Sequence, residues 1–366
     1  MNKNRFGFLS LGLIGGSIAL AIRQICPDAH IVAYARRQST LDEALAAGAI
    51  DEGTTQINEL FSDCDMIFLC APVAVNNTFL EQLKPVLSDK TIITDVGSVK
   101  GSIHETVTKL GLDSHFIGGH PMAGSEKTGF ANASPLLLEN AYYILTPTEA
   151  VSQETVAEYY SFVKKMGALP LILSHQEHDY VTAAISHVPH LVAAALANLV
   201  HDHDSANETM KMIAAGGFKD ITRIASSSPE MWESICMSNT ENIADLLDDY
   251  ILSLQTISKA VRSKQAGFTY DLFTVSKKYR DSFADLPKGP IKKIFACYVD
   301  IPDEAGSIAS LATLLAKADI SIRNIGIIHN REFEEGVLRV EFYDQTALDE
   351  AVALLHSLHY CVYPRK

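Results

Sequence analysis

The stretch FGFLSLGLIGGSIALAIRQI, residues 6–25, decides how the first part of this chain folds. An apolar run ends at Gly12, further glycines follow at Gly15 and Gly16, and residues 18–25 have a helical pattern. A strand, a glycine turn and a helix in this order aim backbone N–H groups at the pyrophosphate of a dinucleotide. The predicted cofactor contacts of this turn are Ser10, Gly12, Leu13, Ile14 and Gly15.

The turn departs from the usual fingerprint at its first position. Ser10 stands where a glycine is expected, so the pattern is Ser10-x-Gly12-x-x-Gly15 and a small side chain must fit there. The alternative interpretation is a glycine turn that serves packing alone.

The N-terminus imitates a secretory signal, because Lys3 and Arg5 precede the apolar run and Ala19-Leu20-Ala21 follows it. The glycine pair at its centre argues against that interpretation. The 6 cysteines are scattered without a Cys-x-x-Cys pair, which favours reduced thiols over a disulfide framework or a zinc site. We therefore expect a cytoplasmic protein.

Composition restricts the partners. A formal net charge of -14 and a pI near 5.3 argue against nucleic-acid binding. Past the N-terminal run, the sequence suggests no apolar stretch long and uninterrupted enough to span a bilayer, so no membrane is expected. With 366 residues, 47% of them hydrophobic, the chain can form two or three domains with separate cores.

Strand-like and amphipathic stretches alternate through the first part of the chain. After the opening strand, the strand candidates are residues 31–34, 66–69, 91–94, 116–117, 142–145 and 169–173. This alternation predicts an α/β fold with a mainly parallel, doubly wound sheet that binds ligands at the carboxyl ends of its strands. The loops at 70–73, 95–100 and 119–121 are expected to line one crevice.

Helical patterns replace the strands beyond residue 174. Residues 188–200 and 230–257 are the longest of these stretches, and their apolar faces exceed what one small sheet could cover. We expect a helical dimerisation domain and a homodimer. Residues 264–288 carry mixed charge and helix breakers, which indicates a linker or a connecting helix.

The last segment follows the order βαββαβ. Strands are predicted at residues 294–299, 320–328, 336–342 and 360–363, with helices between them, and this order predicts a ferredoxin-like domain. The chain is thus expected to hold a Rossmann-like domain at 1–173, a helical domain at 174–288 and a ferredoxin-like domain at 289–366.

The run Gly118-Gly119-His120-Pro121-Met122-Ala123-Gly124-Ser125-Glu126 places a histidine among flexible residues after a predicted strand. A lone histidine is most often a satisfied surface side chain. At the crevice, a neutral imidazole can instead accept a proton from a substrate hydroxyl while hydride leaves the same carbon. We interpret His120 as a general base or as the hydrogen-bond acceptor for that hydroxyl.

His187 and His190 lie three residues apart, on one helical face by spacing. Zinc is the rival interpretation, since His175-x-x-His178 and His201-x-His203 are nearby, but no glutamate or cysteine recurs at a zinc-like spacing. We expect no metal. Core or cap histidines are the other alternative to substrate and cofactor contacts.

The stretch at residues 216–225 supplies Arg223, a guanidinium that can hold a carboxylate with two parallel hydrogen bonds. The alternative is a surface ion pair between Asp220 and Arg223 at helical spacing.

Together these residues resemble the prephenate dehydrogenase family, also called cyclohexadienyl dehydrogenases, in the form with a C-terminal ACT domain. The resemblance covers nearly the whole chain and rests on four motifs in the family's order: residues 95–101, 118–126, 185–190 and 218–223. The ACT resemblance rests on Asp303-x-x-Gly306, Asn324-Ile325 and residues 335–339, and is less specific.

The resemblance implies oxidative decarboxylation of prephenate to 4-hydroxyphenylpyruvate, a step of tyrosine biosynthesis, with a nicotinamide oxidant. His120 would bind the ring hydroxyl, Ser98 would support His120, and Arg223 would hold a carboxylate. The implied substrate contacts are Ser125, Ser186, His190, Gly216 and Trp232, the last from a neighbouring subunit. Glu126 and Asp220 would form a gating network, and His187 would lie near the nicotinamide together with Ala71 and Pro72.

The choice between NAD and NADP stays open in the sequence. Ala35 follows Tyr34 where an NAD-selective site would carry an acidic residue, and Arg36 and Arg37 could receive a 2'-phosphate instead. The alternative is a solvated basic turn, and similar ACT-bearing enzymes often use NAD.

Other activities remain as alternatives. Arogenate dehydrogenase has the same chemistry on an amino-acid side chain, and spacing cannot separate the two. A hydroxyacid or imine reductase would need a lysine on the helix that carries His187 and His190. A sensor that binds dinucleotide without turnover is the remaining class, and His120 and Arg223 argue against it.

The ACT resemblance implies feedback inhibition by tyrosine at an interface between paired domains. The implied ligand contacts are Asp303, Ala305, Gly306, Ser307 and Asn324. Ala305 replaces a common proline, which changes turn rigidity more than ligand chemistry. A purely structural dimerising domain is the alternative.

Overall fold

A computed structural model describes residues 4–124, 127–283, 295–302, 304, 306–328 and 336–364. The chain divides into two compact units, Met1–Ser276 and Lys277–Lys366. The first holds a mainly parallel sheet and most of the helices, and the second holds a smaller antiparallel sheet.

The first unit begins with a parallel sheet of order β3-β2-β1-β4-β5. Its strands are β1 (Arg5–Leu9), β2 (His30–Tyr34), β3 (Glu52–Thr54), β4 (Met66–Leu69) and β5 (Ile92–Asp95). The intervening helices are α1 (Leu13–Ile25), α2 (Gln38–Ala46), α3 (Val73–Leu83) and α4 (Gly101–Leu110). The sequence analysis missed β3, because three residues without an apolar run carry no strand pattern.

Helices cover both faces of this sheet, as the predicted doubly wound fold requires. On β4, Met66 and Phe68 enter one apolar core while Ile67 and Leu69 enter the other. All four side chains are buried, which is why the strand reads as a continuous apolar run rather than an alternating one.

Three further strands extend the sheet beyond β5. Strand β6 (Ile117–Pro121) runs parallel to β5 through the bridge between Ile93 and Phe116. Strand β7 (Tyr142–Pro147) is antiparallel to β6, β8 (Leu169–Ile172) is parallel to β7, and α5 (Gln153–Lys165) connects them. The last two strands therefore run against the others, a reversal that the predicted alternation did not indicate.

Helices form the rest of the first unit. They are α6 (His175–Thr182), α7 (Val188–His203), α8 (Thr209–Ile213), α9 (Gly216–Thr222), α10 (Pro229–Ser238), α11 (Thr240–Arg262) and α12 (Ala266–Ser282), the last of which extends past the unit's final residue, Ser276. A π-helical turn, Ala183–His187, joins α6 to α7. A strand is absent from residues 174–283, all of which are described, so the predicted helical region is confirmed.

One helical stretch corrects an expectation from the sequence. His175–His203 is long and apolar enough by length and composition to cross a membrane, and only 17% of its most apolar window is buried in the chain. No such stretch was predicted from the sequence. Since the same helix carries buried polar side chains, His178 and Asp179 among them, length and composition are weak evidence for a membrane span.

The second unit has the predicted order βαββαβ. Its elements are β9 (Phe295–Ile301), α13 (Ser307–Lys317), β10 (Ile322–Ile328), β11 (Gly336–Phe342), α14 (Gln345–Ser357) and β12 (Val362–Pro364). The strands pair antiparallel in the order β10-β11-β9-β12. Buried side chains such as Val299, Leu311 and Leu355 form its own core.

Candidate active site

The carboxyl ends of four parallel strands meet at one edge of the sheet. Leu9 stands in register with Tyr34 and Leu69, and Leu69 with Asp95. The loops after β1, β2 and β4 hold the predicted cofactor residues at 10–15, 36–37 and 71–72. The fold therefore brings these three loops to one edge of the crevice.

The glycine turn has the shape that a dinucleotide needs. A Cβ at Gly12, which precedes α1, would meet nothing within 4 Å, and α1 has no side-chain cap there. A Cβ at Gly15 would lie 2.8 Å from the Ser10 carbonyl oxygen, and one at Gly16 2.7 Å from Phe130. The turn is open where a phosphate would bind at Gly12, Leu13 and Ile14, and closely packed behind it.

Ser10 takes the backbone conformation of the glycine that it replaces. Its φ is 82°, in the left-handed region that side chains rarely adopt. Its N–H donates to the Tyr34 carbonyl at 2.9 Å, which fixes the turn against β2.

The other predicted cofactor residues lie on neighbouring loops. Arg36 and Arg37 are exposed between β2 and α2. The Ala71 N–H donates to Asn76 Oδ1 at 3.1 Å, and Asn76 Nδ2 donates to the Leu69 carbonyl. Asn76 therefore holds the Ala71–Pro72 loop, a role the sequence analysis missed although a polar residue on the buried face of α3 is a usable signal.

His120 lies within strand β6 rather than in a flexible loop after it, which corrects the sequence analysis. A Cβ at Gly118 would overlap Thr146 Oγ1, and one at Gly119 would lie 2.6 Å from the Asp95 carbonyl oxygen. The two glycines allow the strand to pack against its neighbours, so they hold His120 rigidly.

His178 is the hydrogen-bonding partner of His120. His120 Nδ1 lies 2.8 Å from His178 Nε2, and His178 Nδ1 lies 2.7 Å from Asp179 Oδ1. The family resemblance implied this supporting role for Ser98, which lies on the loop after β5. The structure instead shows His178, which was considered only as a zinc ligand.

Buried charges surround this histidine pair. The fully buried Lys100 donates from Nζ to Asp95 Oδ2 and, at 2.7 Å, to the Gly119 carbonyl. Burial lowers the pKa of His120 well below its usual value, and His178, Lys100 and His187 lower it further. His120 is therefore neutral at pH 7.

His187 is buried and neutral as well. Burial lowers its pKa to about 4. Asn239 Nδ2 lies 3.2 Å from His187 Nδ1 and 2.8 Å from the Asp179 carbonyl oxygen. Because the amide nitrogen can only donate, His187 keeps its proton on Nε2. Asn239 immediately precedes α11 and carried no sequence signal.

His190 and Trp232 form an aromatic stack with ring centroids 3.9 Å apart. His190 Nδ1 donates to the Ser186 carbonyl at 2.9 Å. Both rings line a cavity of about 180 Å³ together with Ile224. The sequence analysis expected Trp232 from a neighbouring subunit, whereas here the indole packs against His190 of its own chain.

The remaining predicted residues divide into two groups. Gly216 begins α9, Asp220 is exposed on it, and Arg223 opens the 3₁₀ turn that contains Ile224, so this segment reaches the cavity edge. Ser125 and Glu126 lie outside the described residues, as do Asp303 and Ala305.

Among the residues that the structure describes, no group of three or more His, Cys, Asp or Glu could hold a metal ion.

A Rossmann-like sheet with an open glycine turn, a neutral anchored histidine at the same edge and a following helical region define a nucleotide-dependent dehydrogenase. Two family models match the chain: prephenate dehydrogenase, nucleotide-binding domain, at residues 18–171, and prephenate dehydrogenase, dimerization domain, at residues 174–274. The chain belongs to the prephenate dehydrogenase family, as the sequence motifs predicted.

Individual relatives agree. A prephenate dehydrogenase of Bacillus subtilis (strain 168) is 39% identical over 93% of this chain and 92% of its own length. The structure of A. aeolicus prephenate dehydrogenase with hydroxyphenyl propionate and NAD+ is 32% identical and covers 77% of this chain and 99% of its own, with a TM-score of 0.72. Synechocystis arogenate dehydrogenase is also 32% identical, over 76% and 99%, with a TM-score of 0.70.

Proposed function

We propose that this chain converts prephenate to 4-hydroxyphenylpyruvate and carbon dioxide while it reduces NAD or NADP, in tyrosine biosynthesis. The observation that carries the proposal is His120, a neutral imidazole with one nitrogen anchored, at the edge where the glycine turn opens. The prephenate dehydrogenase from Bacillus subtilis supports this substrate.

The chemistry follows from these residues. A dinucleotide with its pyrophosphate at the glycine turn would supply a nicotinamide as the hydride acceptor. His120 takes the proton of the ring hydroxyl through Nε2, since Nδ1 is engaged with His178. Arg223 holds a substrate carboxylate, with His190 and Ser186 as further contacts. Loss of carbon dioxide makes the ring aromatic, which makes the step effectively irreversible.

The test is direct. Purified protein receives prephenate or arogenate with each of the two nicotinamides, and reduced cofactor is followed. Turnover of prephenate supports the proposal. Turnover of arogenate alone assigns the chain to the activity named for the Synechocystis neighbour, and turnover of neither overturns both.

The two arginines after β2 decide between the oxidants. Arg36 and Arg37 are exposed where a ribose 2'-phosphate would lie, which favours NADP, while the A. aeolicus structure contains NAD+. Replacement of both by Ala raises the KM for NADP if they bind that phosphate. An unchanged KM for NADP assigns the arginines to a solvated turn.

The helical region is proposed to pair two copies of the chain. Exposed apolar side chains concentrate on α7, α11 and α12, among them Leu199, Ile251, Leu254, Phe273, and the matched family model is a dimerization domain. Sedimentation equilibrium should give twice the chain mass of 39.9 kDa.

The free thiols of all six cysteines support the proposed cytoplasmic location.

The C-terminal unit is proposed to be an ACT domain that binds tyrosine. Gly306 has a φ of +99° directly before α13, no side chain caps that helix, and the Ser307 N–H donates to the Glu304 carbonyl at 3.2 Å, so a carboxylate would meet the next N–H groups of the first turn. Ser307 begins that helix and Asn324 lies on β10. Titration calorimetry should show heat with tyrosine and none with Gly306→Val. If neither protein gives heat with tyrosine, the C-terminal unit is a structural domain and the proposed regulation is wrong.

A further inference from the structure

We propose that His178 and Asp179 are positioning residues that hold His120 in the tautomer with a proton on Nδ1, so that Nε2 is the proton acceptor. This inference deepens the proposed function and rests on it, because the tautomer matters for turnover only if His120 is the base. The three side chains form a chain of hydrogen bonds from α6 to β6.

Asp179 defines one end of this chain. Its carboxylate accepts the backbone N–H groups of Lys100 and Gly101, each at 2.7 Å, at the start of α4. Burial raises the pKa of Asp179, but the hydrogen bonds from His178 and from these two N–H groups outweigh burial and lower it. Asp179 is therefore ionised and can only accept, so His178 must donate from Nδ1.

The proton on His178 Nδ1 determines its other nitrogen. His178 is completely buried, and burial lowers its pKa, so the ring is neutral and Nε2 is an acceptor. His120 must then donate from Nδ1. Its Nε2 has no hydrogen-bond partner among the residues that the structure describes, so that lone pair is available to a substrate.

The fold makes this arrangement rigid. Asp179 joins α6 to the N-terminus of α4, and Asn239, directly before α11, donates to the Asp179 backbone carbonyl at 2.8 Å. The charged and titratable groups that face His120 and His178 are Asp179, Lys100, Asp95 and His187. None of these groups needs to move when His120 accepts a proton.

The main test compares the same substitution at two buried histidines. His178→Phe keeps a ring but removes the acceptor, and His104→Phe is the matched control, because His104 is also buried and bonds Thr146 outside the chain of hydrogen bonds. We expect His178→Phe to lower kcat roughly 10- to 100-fold with little change in KM for either substrate. His104→Phe should retain kcat.

A second measurement reads the tautomer itself. Nuclear magnetic resonance of ¹⁵N-histidine-labelled protein distinguishes a proton on Nδ1 from one on Nε2, and His120→Asn identifies the His120 signal. We expect the Nδ1 proton in the wild type and a shift toward the Nε2 form in His178→Phe. The wild-type spectrum tests the tautomer even if the His178→Phe variant does not fold.

The outcomes separate the two proposals. A wild type that oxidises neither prephenate nor arogenate overturns the proposed function, and the spectrum alone then decides the tautomer. Full kcat in His178→Phe, an equal loss in His104→Phe, or an Nε2 proton on His120 in the wild type overturns the positioning role.

Discussion

At the scale of single residues, the chemistry depends on groups that the fold keeps in an uncommon state. His120 is a neutral base because protein surrounds it, and Ser10 has a backbone conformation that favours glycine. Both features can be changed one residue at a time.

Arg223 is predicted to act on substrate affinity. Arg223→Gln removes a charge-assisted hydrogen bond to a carboxylate, which should weaken apparent binding of prephenate by about 1.5 to 3 kcal/mol. Lys219→Gln on the same segment is the control for the loss of one positive charge, since Lys219 is exposed on α9. Equal KM values for the two variants would remove Arg223 from the substrate site.

Ser10→Gly is predicted to stabilise the protein. The left-handed conformation costs a side-chain residue roughly 1–2 kcal/mol, and the added freedom of an unfolded glycine offsets part of this gain. Urea unfolding should show an increase of about 0.5–1 kcal/mol. Ser161→Gly, in the middle of α5, should destabilise instead. A loss of stability in Ser10→Gly would show that the turn is unstrained.

The sequence was informative about residue types and poor about their partners. The motifs marked His120, His187 and His190 as candidates because glycine turns and strand ends have local patterns. His178 and Asn239 reach this region only through the packing of α6 and α11, so nothing local marks them.

At the scale of elements, the π-helical turn Ala183–His187 is the least predictable feature. It inserts one residue into a continuous helix, and His187 at its end is buried. Helical spacing predicted one shared face for His187 and His190, and both rings face Trp232, with ring centroids 6.1 Å and 3.9 Å from the indole, while His187 also bonds Asn239. π-Turns of this kind occur mostly at functional sites.

Deletion of Ala184, an exposed residue of this turn, should restore regular helix. The chain should remain folded with wild-type helicity by circular dichroism. Because His187 would rotate away from Asn239, kcat should fall on the order of 100-fold. A deletion variant with wild-type kcat would deny the π-turn any part in catalysis.

At the scale of the whole molecule, buried histidines make stability depend on pH. Burial lowers the pKa of His104 to about 3 and that of His187 to about 4, while unfolded histidines have a pKa near 6.5. Below about pH 6.5 the unfolded chain therefore binds protons that the native protein does not.

The free energy of unfolding should thus fall as the pH is lowered from about 7 to about 5, by up to roughly 1.4 kcal/mol per pH unit for each such histidine. Urea unfolding at several pH values measures the slope. His104→Phe should make the slope shallower. A stability that stays constant or rises toward pH 5 would mean that these rings are protonated in the native protein.

The fold at this scale was largely predictable. Long apolar runs marked the parallel strands, and the order βαββαβ marked the C-terminal unit. The reversed direction of β7 could not be predicted, because the direction of a strand depends on its partners rather than on its own residues.

The most direct test of the account is single turnover of cofactor-saturated wild type and His120→Asn with prephenate. The account predicts that the wild type forms reduced cofactor and carbon dioxide in equal amounts. His120→Asn should bind the cofactor equally well and react about 100-fold or more slowly, since general-base assistance contributes at least that much. Equal rates in the two proteins would contradict the assignment of His120 as the base.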